Sequence, residues 1–149
     1  MILALDLGNS FGYAIKQSAT IYSGFDRLVN KAGSEPGKKF HLFDTWLNYD
    51  LPKGIKYVYF EDVKRHASLY NARAYCGYLA ILQAWCVKNQ IECKGVGVGT
   101  IKKFWTGKGN ATKQMMIEEA KRRGFEVVSH DEVDAIALLH FACQIKEEK

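Results

Sequence analysis

Four acids stand where carboxylates could share one site. Asp6 closes the apolar run MILAL, and Glu61 closes the aromatic, β-branched run YVYFE. Asp131 and Asp134 follow in HDEVDAIALLH, spaced i, i+3 and therefore on one face of a helix. A carboxylate beside a core strand is costly without a partner. Several in one small volume repel strongly at neutral pH, and a divalent cation relieves that repulsion. All-oxygen, hard ligands select Mg²⁺, with Mn²⁺ as its substitute, over zinc. Two such ions roughly 4 Å apart can activate water, stabilise the leaving oxygen of a phosphodiester and neutralise charge developing on phosphorus.

Taken singly, each acid has an ordinary explanation. Asp131 and Glu132 suit a helix N-terminus, Asp6 can start a turn, and Asp62 leaves open which of two neighbours matters. The arrangement of strand end, strand end and helix face is what favours a common site.

A second candidate is IKKFWTGKGNATK, which holds Lys102, Lys103, Lys108 and Lys113. Gly107 and Gly109 allow close backbone approach, and Asn110 as an N-cap would present helix amides to phosphate. Without the acids, this reads as a lysine-rich surface loop. GKGNATK lacks the G-x-x-x-x-G-K-[ST] order of a nucleotide-binding loop.

The elements needed to hold these residues can be traced along the chain. Residues 1–7 and 11–17 read as a hairpin around LGNS, with a short third strand at Ile21 to Phe25. Residues 35–48 have apolar positions Phe40, Phe43 and Leu47 at roughly helical spacing. YVYFE is a strand, and Ala67 to Lys88, with no helix breaker except Gly77, a long, mostly buried helix. IECKGVGVG is a strand ended by Gly99, and ATKQMMIEEAKRRG is a helix stopped by Gly124. FEVV is a short strand or extended linker. SHDE, from Ser129 to Glu132, fits a capping box opening a last helix through about Lys146. Its other face, with Val133, Ile136, Ala137, His140 and Phe141, can pack on a sheet.

Hairpins first, then strands alternating with helices, predict an α/β fold: a five-stranded mixed β-sheet flanked by α-helices. Parallel strands joined by crossovers carry function at their carboxyl ends, where Asp6 and Glu61 both lie. The 149 residues suit a single domain, 1–149, with 48% hydrophobic and 25% charged residues. No segment has the length or apolarity of a membrane span or signal peptide, so no membrane association and a cytoplasmic location are expected. Cys76, Cys86, Cys93 and Cys143 show no CxxC pairing and are expected as buried free thiols. The net charge of +5 and pI near 9.0 suit a polyanionic partner or a solvated basic surface equally well.

LALDLGNSFGYAI, YVYFED, IKKFWTGKGNATK and HDEVDAIALLH, in that order across nearly the whole chain, resemble the RuvC Holliday-junction resolvases of the RNase H-like superfamily. The resemblance implies an RNase H-like fold with Asp6, Glu61, Asp131 and Asp134 as metal ligands, two ions per site, and Lys113 serving catalysis. It also implies DNA contact by Lys102, Lys103, Lys108 and Lys113. The family commonly carries an aromatic three positions after the glutamate, where this chain has Lys64. Lys64, Arg65 and His66 are then expected to grip phosphate, with Tyr70 the nearby aromatic that could replace the missing one.

The activity implied is a metal-dependent, structure-selective endodeoxyribonuclease that resolves four-way junctions, and other branched DNA, in DNA recombination and repair. Paired cleavage would leave 5′-phosphate and 3′-hydroxyl ends. A four-way junction is nearly two-fold symmetric, so a homodimer supplies the two active sites. The helix with Tyr75, Tyr78 and Leu82 is either its contact surface or a core helix. The alternatives are a ribonuclease of the same fold acting on RNA/DNA hybrids, and a non-catalytic branched-DNA-binding module. An actin-like or sugar-kinase ATPase, suggested by DLGNSFGYA, would need a second such domain.

Overall fold

The computed structural model describes residues 1–28, 31 and 35–147. Five strands form one sheet: β1 (Ile2–Asp6), β2 (Phe11–Gln17), β3 (Thr20–Asp26), β4 (Tyr57–Asp62) and β5 (Glu92–Gly97), in the order β3-β2-β1-β4-β5. The first three are antiparallel neighbours, whereas β1, β4 and β5 run parallel. Leu3, Ala4 and Leu5 of the central strand are fully buried. That is why β1 reads as a continuous apolar run, since a strand covered on both faces has no solvent side to alternate towards.

Five helices among the described residues cover the sheet: α1 (Lys38–Thr45), α2 (Leu69–Lys88), α3 (Val98–Thr106), α4 (Lys113–Arg122) and α5 (His130–Glu147). On one face, Leu3, Leu5, Phe11, Val58 and Phe60 pack with α1 and α2. On the other, Ala4, Ala14, Tyr59 and Val96 pack with α3, α4 and α5. The period of two along a strand places Asp6 with Ala4, and Glu61 with Tyr59, on the α5 side. Asp62 falls on the opposite face and meets Lys64 at 3.8 Å, which separates its role from that of Glu61.

Several local expectations are corrected. The stretch 35–48 becomes helical at Lys38 and widens into a π-helical turn, Trp46–Asp50. α2 begins at Leu69, after Ser68 caps it by accepting from the Asn71 N–H at 3.1 Å. The helix runs unbroken through Gly77, where a Cβ would run into the Phe40 ring of α1. β5 ends at Gly97 rather than Gly99 and turns directly into α3, which puts Lys102 and Lys103 on a helix. Gly107 ends α3 with φ of 82°, a conformation that favours glycine. Thr112, not Asn110, caps α4 by accepting from the Met115 N–H. FEVV forms no strand; Phe125 and Val127 pack against the α5 side of the core from an extended segment.

Ser129 accepts from the Glu132 N–H at 3.1 Å, as a cap should. The Glu132 carboxylate, however, accepts from Val128 N–H and Ser23 Oγ, tying α5 to β3 instead of closing a reciprocal box. Tyr75, Tyr78 and Leu82 are buried in the core, so they form no contact surface for a second copy of the chain. The outward stripe is Leu69, Arg73, Cys76, Ala80 and Val87. Cys76 is therefore exposed rather than buried; Cys86 is buried and hydrogen-bonded to Cys93, and all four thiols are free. No helix among the described residues is long and apolar enough to cross a membrane.

Candidate active site

The parallel strands β1 and β4 bring Asp6 and Glu61 to one edge of the sheet, on the face that α5 covers. Asp6 lies opposite Gly12 in the β1–β2 ladder, and Gly12 is where the first turn of α5 meets the sheet. A Cβ at Gly12 would overlap the Asp131 carbonyl, so glycine lets the helix start directly above Asp6. Ser10, from the same turn, donates to Asp131 Oδ2 at 2.5 Å and orients that carboxylate. Asp134 follows one helical turn later on the same face.

The carboxyls feel one another strongly. Burial pushes Asp6 well above its ordinary value, and Glu61, Asp134 and Asp131 add to the rise. Burial also raises Glu61, while its hydrogen bond with Asp6 and the Lys102 ammonium oppose the rise. Asp134 is pushed up to about 7 by burial and then by Glu61, against the pull of Lys102 and Lys113. Two carboxylates about 4 Å apart repel by about 4 kcal/mol at an effective dielectric of about 20, worth about three pKa units. Nearby cations offset such repulsion.

A cleft of about 300 Å³ opens beside two of the acids, Glu61 and Asp134, and is lined also by Arg65, Lys102, Lys113 and His130; Asp6 and Asp131 lie outside its lining. Lys102 on α3 and Lys113 at the start of α4 are thus brought beside these two acids from elements separated by the Gly107 turn. Lys103 and Lys108 are exposed, and nothing places them in the cleft. Lys64 turns towards Asp62, and Tyr70 stands outside with Lys39 Nζ at 4.9 Å from its ring. His66 does not project with Lys64 and Arg65 as expected, but lies against Tyr75 with ring centroids 4.9 Å apart. His130, Ser10 and Gly12, which spacing alone did not single out, border the candidate acids; His130 directly precedes Asp131, and the other two lie in LGNSFG.

The donor set is entirely carboxylate oxygen, which fits a hard divalent cation and not zinc. Among the described residues, no three His, Cys, Asp or Glu side chains are drawn together tightly enough to cage an ion as they stand. Asp6 and Glu61 are hydrogen-bonded to each other, and Asp134 is raised by its burial and by Glu61.

No protein-family model matches the chain, and no curated protein matches it in sequence. Among solved structures, RuvC from Thermus thermophilus aligns with a TM-score of 0.73 and 14% identity, covering 97% of this chain and 96% of that one. The chain has the RuvC fold. T. thermophilus RuvC in complex with a Holliday junction substrate aligns almost as well, with a TM-score of 0.70, 12% identity, and 97% and 95% coverage. The RuvC fold thus extends over the two strand ends and α5, the elements that carry the four acids of this chain.

Proposed function

We propose that this protein is a metal-dependent endonuclease that cuts branched DNA, four-way junctions above all, in DNA recombination and repair. The observation that carries the reading is the gathering of Asp6, Glu61, Asp131 and Asp134 at the carboxyl edge of the parallel strands, with Lys102 and Lys113 sharing a cleft with Glu61 and Asp134. Acids kept so close raise one another's pKa without any benefit to stability, and perturbed clusters in a cleft mark functional sites. The RuvC fold, seen with a Holliday junction in the Thermus protein, supports the choice of substrate.

In this reading the four acids would hold Mg²⁺ or Mn²⁺, two ions per site, and the cations would relieve the repulsion that raises Asp6, Glu61 and Asp134. Bound ions of this kind supply an activated water and neutralise charge at a phosphodiester, giving 5′-phosphate and 3′-hydroxyl ends. Ser10 holds the Asp131 carboxylate in one orientation. Lys113 and Lys102 seat the scissile phosphate over the acids, and Arg65 extends that grip along the strand. Lys103, Lys108, Lys64 and Tyr70 contact the flanking arms from outside the cleft.

Two symmetric nicks need two sites, so the active form is a homodimer. The stripe Leu69, Arg73, Cys76, Ala80 and Val87 is the contact surface, because Leu69 and Val87 are 66% and 80% exposed and the small residues between them permit close helix approach.

The test of substrate class is a matched panel of four-way junction, fork, flap, linear duplex and RNA/DNA hybrid, each incubated with Mg²⁺. Selective, paired nicking of the junction is expected. Preferential cleavage of the hybrid would move the protein to the ribonuclease reading, and junction binding without cleavage to the non-catalytic one.

A further inference from the structure

Residues just beyond Asp6 and Glu61 line a second cavity, on the face of the sheet that α2 covers. Leu7 and Asn9 come from the β1–β2 turn, Val63 and His66 from the segment after β4, and Asn71 and Tyr75 from α2. Its volume is about 230 Å³. That is below the roughly 300–1,000 Å³ typical of drug-sized ligands, and suits one planar heterocycle without its sugar and phosphate.

The chemistry of the walls is that of a base pocket. Leu7 and Tyr75 are buried and present apolar faces, while three side chains with polar edges stand around them. Lys39 Nζ donates to Asn9 Oδ1 at 3.1 Å. A lysine cannot accept, so this bond fixes the carboxamide with its NH₂ free to donate. The Asn71 side chain has no partner among the described residues and offers both a donor and an acceptor. His66 lies at 46° to the Tyr75 ring and completes an aromatic corner.

The floor of the cavity leads back to the acids. Tyr75 Oη donates to the Glu61 carbonyl at 2.9 Å and accepts from the Val63 N–H at 3.2 Å. An occupant seated between His66 and Asn71, with Tyr75 at its floor, therefore bears on the backbone that carries the Glu61 carboxylate. The opposite wall continues directly from Asp6.

We propose that this cavity receives one unstacked nucleobase of the DNA, from a nucleotide next to the scissile phosphate. The inference rests on the nuclease reading for its substrate. Apolar faces with hydrogen-bonding edges are how proteins hold an extruded base, and junctions offer bases already weakly stacked. Through Tyr75 and Glu61, base occupancy sets the cleavage step more than the affinity.

The test uses the full chain and synthetic four-way junctions. Junctions carry an abasic site, or the fluorescent base 2-aminopurine, at each position in turn around the cleavage point. At one position the abasic change is expected to lower the single-turnover cleavage rate about tenfold or more. At that same position 2-aminopurine brightens on protein binding. Asn71→Ala, and separately His66→Ala, should abolish both responses, with the fold checked by thermal unfolding.

Equal cleavage of every abasic junction, with 2-aminopurine responses unchanged by both substitutions, would overturn the base pocket and leave the nuclease reading standing. An Asn71-dependent 2-aminopurine response with no cleavage of any junction would support the pocket and remove the nuclease reading.

Discussion

Gly12 and Asp131 meet backbone to backbone: the Asp131 carbonyl occupies the space that a side chain on residue 12 would need. Because Gly12 pairs with Asp6 across the β1–β2 ladder, this contact sets the distance between the acid of the central strand and those of α5. Gly12→Ala should push α5 off the sheet, since neither backbone can yield cheaply. Overpacking of this kind typically costs about 1–3 kcal/mol and here strikes the site as well. A fall in melting temperature of several degrees, with Mg²⁺ affinity reduced, is the expected result; a variant as stable and as Mg²⁺-responsive as the parent would contradict it.

The acid cluster makes stability depend on pH in a stated direction. Asp134 has a folded-state pKa of about 7 against an ordinary 3.8, and Asp6 and Glu61 are raised too. A group raised on folding contributes stability fully present below its unfolded pKa and lost as pH rises through its folded pKa. In EDTA the protein should therefore melt higher at about pH 5 than at about pH 8, the loss falling mainly between about 4 and 7 for Asp134. Mg²⁺ should recover the loss at the upper end, because cations offset the repulsion among the acids. Calorimetry at the two pH values, with and without Mg²⁺, measures this.

Asp6→Asn separates function from stability. Removing one buried charge from a repelling group should raise the melting temperature in EDTA at about pH 8 by a few degrees. The same change should abolish the Mg²⁺-dependent rise. A purely structural aspartate would behave oppositely in both respects.

The lysines divide into two classes. Lys102→Met and Lys113→Met should lower junction cleavage about a hundredfold, because each shares a cleft with Glu61 and Asp134. Lys103→Met and Lys108→Met should mainly weaken binding, each reducing the slope of log affinity against log salt by about one. Single-turnover rates and salt titrations distinguish the two.

Ala80→Arg, on the outward stripe of α2, should give a monomer in sedimentation without unfolding the chain, since residue 80 is exposed. Paired cutting of a junction should then break down into single nicks. A dimer that survives this substitution would place the contact elsewhere.

The sequence made the sheet and the acids legible because both rest on strong local signals. β1 and β4 are short apolar runs closed by a carboxylate, and Asp131 and Asp134 share a face by helical geometry alone. What it hid depends on tertiary contact. α3 looked like strand and loop because GVGVG carries no helical pattern before Ile101. The burial of Tyr75, Tyr78 and Leu82 depends on which face of α2 meets the sheet, and a helix apolar on several sides does not announce that. Glu132 looked like a capping-box residue, yet Ser23, far away in sequence, takes its carboxylate. Gly12 and Ser10 acquire meaning only once α5 is laid over β2.

The central claim is that Asp6 and its neighbours form a divalent-cation site that cuts junction DNA. It is tested most directly by incubating a labelled four-way junction with wild-type protein and with Asp6→Asn, each in Mg²⁺ and in EDTA, while junction binding is measured in parallel. Paired nicks by the wild type in Mg²⁺ alone, with binding but no cleavage by the variant, are predicted. Cleavage that persists in EDTA, or equal cleavage by Asp6→Asn, would contradict the account.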